Sequence, residues 1–241
     1  MTNLPGELPV GKPIAGWTAP PRPGELTLRG RHCRLEPLDP DLHARQLYLA
    51  NIKDQIDRNW VYLPYGPFHD EESYREWVRA VSAKEDPYFL AIHSRECRQF
   101  CGVASWLRIH PQRGSIEVGH INFSPLLQRT RAATEAMFLM MQWAFDAGYR
   151  RYEWKCDALN VSSVRAAERL GMSFEGVFRQ ATIYKGRNRD TAWFATIDSE
   201  WPRLRAAYIA WLKPENFDSQ GRQRISLRTL TRGLLVKRYA D

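Results

Sequence analysis

The sequence predicts a mixed α/β fold, in which a central and mostly antiparallel sheet carries helices on both faces. Two observations lead to this class. Segments with helical and with strand periodicity follow one another in the order helices, three strands, helix, strand, helix, hairpin and helix. Hydrophobic residues make up 44% of the 241, which is enough for a sizeable core and argues against global disorder, a collagen-like repeat and a coiled-coil rod.

Composition divides the chain into an arm, one domain and a tail. Residues 1–25 are rich in proline and glycine, so they cannot hold a helix and are expected to lie extended over the surface. All of the predicted elements fall within residues 26–212, which we interpret as a single domain. Residues 213–241 form a basic tail, which is either ordered through small apolar clusters or a basic appendage.

The domain begins with a short hairpin and two helices. A strand turns at residues 29–31, and an Asp-Pro pair starts the amphipathic helix predicted over residues 39–53. A second helix follows Asp70. Between the helices, the aromatic loop of residues 59–68 either packs on the core or forms a wall of a substrate pocket. Its candidates for substrate binding are Trp60, Tyr62 and Tyr65.

The centre of the domain is a run of strands followed by a helix. Residues 88–93, 100–109 and 115–123 predict an antiparallel meander. The hydrophobic period then changes, and residues 132–147 predict a helix that ends at Gly148. A turn and a helix start therefore follow directly after the third strand.

The last part of the domain contains a strand, a short helix, a hairpin and a closing helix. Apolar and charged residues alternate over residues 151–156, which predicts a strand with one buried face. Asn160 is a candidate N-cap for a helix over residues 162–170. The remaining elements are a hairpin of residues 174–185 and 191–197, joined by residues 186–190, and a helix over residues 199–212.

Charge and cysteine content indicate the class of partner and the compartment. The formal net charge of +8 favours polyanionic partners such as a phosphorylated cofactor, nucleic acid or acidic lipid. No apolar run is long enough to cross a membrane, and the first residues lack the pattern of a signal peptide. The 4 cysteines are scattered, as in proteins of a reducing compartment. We therefore expect a cytoplasmic protein with no membrane partner.

Four central side chains could be offered as zinc ligands: His93, Cys97, Cys101 and His110. Their spacing matches no common zinc-binding pattern, and the region has the pattern of two strands and a hairpin turn. We expect packing or surface roles for them, and no metal ion.

The junction between the third central strand and the following helix is the most informative place in the sequence. A helix start presents unpaired backbone N–H groups and the positive end of the helix dipole, which together bind anions. Two arginines in the turn can add bidentate hydrogen bonds to a phosphate. The residues predicted to bind phosphate are Gln128, Arg129, Thr130, Arg131, Ala132 and Ala133.

Three stretches of the chain carry a family resemblance. They are residues 119–136, the motif Asn160-Val161-Ser162-Ser163 leading into residues 166–172, and the ending Phe174-Glu175-Gly176. Together they resemble the GCN5-related N-acetyltransferase (GNAT) superfamily, and within it the RimJ/RimL-like branch. The similarity covers residues 26–212 in the order of their elements, and it implies the GNAT type of mixed, mostly antiparallel sheet.

The resemblance implies an N-acetyltransferase that moves the acetyl group of acetyl-CoA to a primary amine by direct attack. The branch acetylates ribosomal-protein N-termini and many small amines, so the implied acceptor is a protein N-terminus or a small molecule. The cofactor's pyrophosphate would lie on the amides of residues 128–133, and its pantetheine between two splaying strands. Asn160 would hold the pantetheine or cap the helix, while Ser163 would reach the cofactor sulfur or be only a first-turn residue.

One departure from the family pattern concerns the phosphate loop. Arg131 stands where glycine is customary, and glycine lets a pyrophosphate approach the backbone closely. The arginine either turns outward and keeps the site, or narrows it and prevents cofactor binding.

A second departure concerns the general base. The branch often carries a glutamate where this chain has Thr182. The replacements we favour are Glu117, which could hold a water or attract a cationic substrate, and His120, which is expected to titrate in the right range. They are three residues apart, so they point to opposite faces of a regular strand unless a bulge intervenes. Tyr184 is a further candidate, as is Asp190, for which we favour a structural role in the hairpin turn.

Two other functions stay open at this stage. The chain could be a non-catalytic GNAT-fold protein that binds a partner, with Arg131 and Thr182 marking a lost site. It could also contact a ribosome or RNA through the basic tail, but the tail has few aromatic residues, so nucleic acid is not expected as a partner. The acceptor is not identified, and the protein is expected to be a monomer or a homodimer.

Overall fold

The computed structural model describes residues 8–239, which form one sheet with helices on both faces. The strands are β1 Leu28–Arg29, β2 Cys33–Pro37, β3 Tyr88–Ser94, β4 Gln99–His110, β5 Ser115–Phe123, β6 Arg151–Asp157, β7 Ser173–Tyr184 and β8 Arg187–Ile197. The helices are α1 Pro40–Asn51, α2 Glu71–Ser82, α3 Arg131–Asp146, α4 Val161–Arg169, α5 Trp201–Leu212 and α6 Leu227–Thr231. The predicted fold class is confirmed.

The sheet has the strand order β1-β2-β3-β4-β5-β6-β8-β7, and β5–β6 is the parallel pair. That pairing ends at Val118 and Trp154, although β5 continues along β4 and β6 continues along β8. The two central strands therefore diverge, and a cleft opens between them.

Two hydrophobic cores lie on opposite faces of the sheet. The larger one packs α3, α4 and α5 against the strands and includes the fully buried Trp106. The smaller one packs α1 and α2 against β3 and β4. The start of α1 is as predicted, because Asp39 Oδ1 accepts hydrogen bonds from the backbone N–H groups of Asp41 and Leu42 at 2.8 Å.

The described part of the N-terminal arm, residues 8–25, contains no helix or strand, has a turn at residues 15–16, and is mostly exposed. Tyr149 donates its hydroxyl to the Pro21 carbonyl at 3.0 Å, and Tyr88 donates to the Gly24 carbonyl at 2.7 Å. Residues 1–7 lie outside the described residues, so the expectation for that part of the arm stays a prediction.

The basic tail is ordered and packs on the domain as far as residue 239. The Phe174 N–H donates to the Lys237 carbonyl at 2.9 Å, and the Thr231 hydroxyl donates to the Arg169 carbonyl at 3.0 Å. Leu227 is buried in the larger core. Of the two alternatives for this segment, the structure supports the ordered one; residues 240–241 lie outside the described part.

The β7–β8 hairpin is longer and tighter than predicted. The strands meet at a two-residue turn, Lys185-Gly186, in which both residues have positive φ (47° and 70°). The polar residues 187–190 are predicted as a loop, but they belong to β8, and residues 187–189 pair with β7 at an exposed end of the sheet, where polarity does not distinguish strand from loop. This register places Arg189 opposite Thr182, beside the cleft.

Candidate functional site

The cleft between β5 and β6 opens into a groove of about 1880 Å³. At one end, the helix end, lie the starts of α3 and α4. At the other, the hairpin end, β4, β5 and β6 meet the β7–β8 hairpin. The two ends bring together most, but not all, of the predicted site residues.

The start of α3 offers free backbone donors. Thr130 caps the helix, because its Oγ1 accepts a hydrogen bond from the Ala133 N–H at 3.1 Å. Within residues 8–239, the N–H groups of Arg129, Arg131 and Ala132 donate no hydrogen bond. Together with the dipole of this 16-residue helix they can bind an anion.

The other predicted phosphate-binding side chains have structural roles. Gln128 Nε2 donates to Asn59 Oδ1 and to the Phe123 carbonyl, both at 2.8 Å, and so ties the turn to the loop after α1 and to the end of β5. The side chain of Ala132 is 2% exposed and packs in the core rather than lining the groove. A contribution from this residue to anion binding would have to come from its backbone.

Arg131 turns away from the helix start. Its guanidinium lies over the ring of Phe217, with the Cζ atom 4.8 Å from the ring centroid. Phe217 belongs to the tail segment that follows α5, and it lines the groove. Arg131 lines the groove as well, so its guanidinium and the Phe217 ring form part of the groove wall; whether this residue permits cofactor binding stays a prediction.

The start of α4 presents a hydroxyl to the groove. Asn160 is the N-cap, since its Oδ1 accepts from the Ser163 N–H at 3.1 Å, as predicted. Ser163 Oγ accepts a hydrogen bond from Trp154 Nε1 at 3.0 Å. Because the indole can only donate, the hydroxyl proton of Ser163 points to another acceptor. The Cys156 thiol is within its reach: burial raises the pKa of this thiol, and a hydrogen bond with Ser163 acts to lower it.

A bulge in β5 brings Glu117 and His120 to the same groove. Ser105 pairs with Gly119, whereas Val103 pairs with Asn122, so the intervening part of β5 holds extra residues. His120 lies in this bulge with a left-handed φ of 49°. Two side chains that a regular strand would direct to opposite faces therefore both line the groove.

Glu117 is 3% exposed and faces two cations. Arg108 donates to its Oε1 at 2.7 Å, and Lys155 Nζ lies 2.7 Å from its Oε2. Burial raises the pKa of the Glu117 carboxyl above its ordinary value, although both cations act to lower it.

His120 is a neutral imidazole at pH 7. Its ring stacks on Tyr65, with the centroids 5.6 Å apart. Burial lowers its pKa to about 4, with further contributions from Arg108, Arg189 and Lys84. The expectation that His120 titrates near neutral pH is therefore wrong, and the physical reason is desolvation in a positive field.

The aromatic loop after α1 divides between the core and the groove. Trp60 is 4% exposed and packs edge-on against Tyr65 and Phe68. Neither Trp60 nor Tyr65 lines the groove. Tyr62 does, and its hydroxyl donates to the Leu159 carbonyl at 3.2 Å. Of the three predicted substrate-binding residues, the structure thus places only Tyr62 in the groove.

Sequence reasoning missed four charged residues at the hairpin end: Arg108, Lys155, Asp157 and Arg189. The first two contact Glu117. Asp157 ends β6, and its Oδ2 accepts from the Tyr184 hydroxyl at 2.9 Å. Arg189 lines the groove from β8. No local motif marks Asp157 or Arg189, because their meeting depends on the β6–β8 register and on the tight hairpin turn.

Asp190 and Thr182 occupy places that agree with their expected roles. Asp190 Oδ1 accepts from the Gln180 N–H at 2.8 Å and from Asn188 Nδ2 at 3.0 Å, so it stabilises the hairpin. Thr182 lines the groove at the position where the resemblance would have placed a glutamate. Within residues 8–239 no cluster of His, Cys, Asp and Glu could hold a metal ion, and no helix is both long and apolar enough to span a membrane.

Comparisons with known proteins agree on one family. A family model described as an acetyltransferase (GNAT) domain matches residues 32–173. A crystal structure of a GCN5-related N-acetyltransferase from Brucella melitensis is 44% identical and covers 91% of this chain and 100% of its own, with a TM-score of 0.89. The probable GNAT-family acetyltransferase of Chromobacterium violaceum is 41% identical and covers 82% of this chain and 99% of its own, with a TM-score of 0.75.

A more distant structure shows the fold alone. The ribosomal L7/L12 N-acetyltransferase RimL is 20% identical and covers 72% of this chain and 94% of its own, with a TM-score of 0.60. No curated protein sequence matches the chain.

Proposed function

The chain belongs to the GNAT family of acyl-CoA-dependent acetyltransferases, and from that premise we propose that it transfers the acetyl group of acetyl-CoA to a primary amine. The observation that carries the proposal is the β5–β6 cleft, which has free amides at the start of α3 and the Ser163 hydroxyl, positioned by Trp154, at the start of α4. Members of the family use acetyl-CoA. The RimJ/RimL-like branch is part of the proposal, and the Asn160–Ser163 motif supports it.

We assign cofactor binding to the helix end of the groove. The amides of Arg129, Arg131 and Ala132 and the α3 dipole would hold the pyrophosphate. Beyond Val118 and Trp154 the facing edges of β5 and β6 have no strand partner, so their backbone groups can bind the amides of the pantetheine arm.

When bound, acetyl-CoA supplies the activated acyl thioester, and the residues of this chain position it and move protons. A backbone N–H on the open edge of β5 can donate to the developing oxyanion. Ser163, whose oxygen is held by Trp154, can give its proton to the departing sulfur instead of to Cys156, and it regains a proton from solvent. Attack of the amine nitrogen forms the C–N bond, and the C–S bond then breaks.

Glu117 is the better-supported proton acceptor for the attacking amine. Its pKa is raised by burial, which makes the carboxylate a stronger base, whereas the pKa of His120 is lowered to about 4. Both oxygens of Glu117 already face a cation, so the proton would reach it through water. His120, neutral at pH 7, would then shape the pocket rather than accept the proton.

Ligand binding and turnover test the proposal separately. Acetyl-CoA at about 100 times its dissociation constant should stabilise the protein by about 2.7 kcal/mol, and hence raise its Tm by about 5–10 °C. Thiol release with a panel of primary amines then measures transfer. Absence of any Tm shift with millimolar acetyl-CoA or CoA would overturn the proposal, and binding without thiol release would favour the non-catalytic alternative.

A further inference from the structure

The groove has an excess of positively charged side chains. Its lining holds 9 arginines and lysines against 4 aspartates and glutamates. The cations on the α3 turn and on α4 face the helix end, where the cofactor phosphates are proposed to bind. Three others lie at the hairpin end: Arg108, Lys155 and Arg189.

The carboxylates at the hairpin end already have partners. Glu117 is shared by Arg108 and Lys155, at 2.7 Å from each. Asp157 accepts from the Tyr184 hydroxyl at 2.9 Å and from the Leu159 N–H at 2.8 Å. The earlier expectation that Glu117 attracts a cationic substrate therefore has little support, because its charge is balanced within the protein.

Among residues 8–239, Arg189 is the cation at this end that makes no ion pair, although the carboxylate of Asp157 lies on the neighbouring strand and both charges act on the pKa of Tyr184. Within the same residues its Nε is buried without a hydrogen-bond partner. Its Cζ lies 5.8 Å from the centroid of the Tyr184 ring, and the residue opposite it in the hairpin, Thr182, is neutral. A buried guanidinium N–H without a partner is costly, which indicates a site that a ligand completes.

We propose that the acceptor amine carries an anionic group, a carboxylate or a phosphate, which Arg189 binds. This inference rests on the proposed function and specifies its substrate class. A guanidinium matches the two oxygens of either group with parallel hydrogen bonds, whereas a polyamine offers it no acceptor. The positive field is also felt by His120, whose pKa is lowered in part by Arg189 and Arg108.

Matched acceptor pairs test the inference on the wild-type enzyme. The pairs are O-phosphoethanolamine against ethanolamine, β-alanine against β-alaninamide, and a peptide with glutamate against one with glutamine at its second position. We expect kcat/KM to be at least about tenfold higher for the anionic member of one or more pairs. The pair with the largest ratio shows whether the site prefers a phosphate or a carboxylate. Equal rates within every pair, or preference for a polyamine, would overturn the inference.

Substitution of Arg189 ties the preference to this residue. We expect Arg189→Gln to raise the KM of the preferred anionic acceptor by about tenfold or more and to leave that of its neutral counterpart unchanged. Arg189→Lys should keep part of the preference for the anionic acceptor, because lysine retains the positive charge but lacks the two parallel N–H donors of the guanidinium. Arg187→Gln, an exposed change two residues earlier on the same strand, is the matched control.

The outcomes separate the inference from the function on which it rests. If Arg189→Gln raises the KM of both members of a pair equally, the inference is wrong and the acetyltransferase assignment stands. If no amine is acetylated and acetyl-CoA does not bind, the proposed function itself fails. Binding of acetyl-CoA by Arg189→Gln with wild-type affinity confirms that this variant folds.

Discussion

At the helix end of the groove the proposed anion site is made of backbone amides, with side chains around it, whereas the hairpin end is made of side chains from several strands. The amides of Arg131 and Ala132 are free because every helix leaves its first N–H groups unpaired. Glu117 and Arg189 meet in one groove only because β5 has a bulge and β8 a particular register.

The difference shows which substitutions each end can tolerate. An arginine replaces the customary glycine at residue 131, and the helix start stays free because the side chain turns onto Phe217. At the hairpin end a comparable change would remove the interacting group itself. The following predictions test this contrast, from the largest effect to the smallest.

Ser163 is the residue of the helix end that contributes a side chain to the chemistry. We expect Ser163→Ala to lower kcat by about 10²–10⁴-fold and to leave the acetyl-CoA dissociation constant unchanged, because a proton donor is lost while the amides remain. Single-turnover kinetics and calorimetric binding measure the two quantities. Ser162→Ala, an exposed neighbour in the same helical turn, is the control. A decrease in kcat of less than tenfold would show that the helix end binds acetyl-CoA but does not supply the proton.

His120 at the hairpin end should make stability depend on pH. The unfolded chain protonates this imidazole near pH 6.5 and the folded protein only near pH 4, so stability is lost as the pH falls between these values. In the wild-type protein, His120 should lower the free energy of unfolding by about 2.5 kcal/mol between pH 7 and pH 4.5.

The matched variant is His120→Asn, because asparagine tolerates the left-handed backbone of this position. Urea unfolding of both proteins at the two pH values gives a double difference in which the other histidines cancel. We expect the variant to lose about 2.5 kcal/mol less than wild type on acidification. An equal decrease in the free energy of unfolding of both proteins on acidification would show that the hairpin end does not suppress protonation of His120.

Arg131 tests the tolerance of the helix end. We expect Arg131→Ala to weaken acetyl-CoA binding by less than about tenfold, because one long-range charge is lost while the amides and the dipole persist. Calorimetry at low and high salt measures the effect. Phe217→Leu, which removes the ring beneath the guanidinium but keeps the charge, is the comparison. A loss above a hundredfold would contradict a site built mainly from backbone.

Much of the fold and the helix end could be predicted from the sequence. The Asp39 cap, the three central strands, the Thr130–Ala133 helix start and the Asn160 cap all follow from residues close together in the chain. Caps, periodicity and turn residues act over one or two helical turns, so a short window of sequence contains the cause of each.

Tertiary structure alone decided the hairpin end. The β5 bulge, the packing of Arg131 on Phe217 and the burial of Trp60 and Tyr65 all depend on segments distant in the chain. The same holds for the pKa of His120 and for the unpaired guanidinium of Arg189. Burial and distances between charges are properties of the packed chain, so the sequence determined the scaffold and the helix start that we propose as the anion site, while long-range packing determined which side chains line the hairpin end.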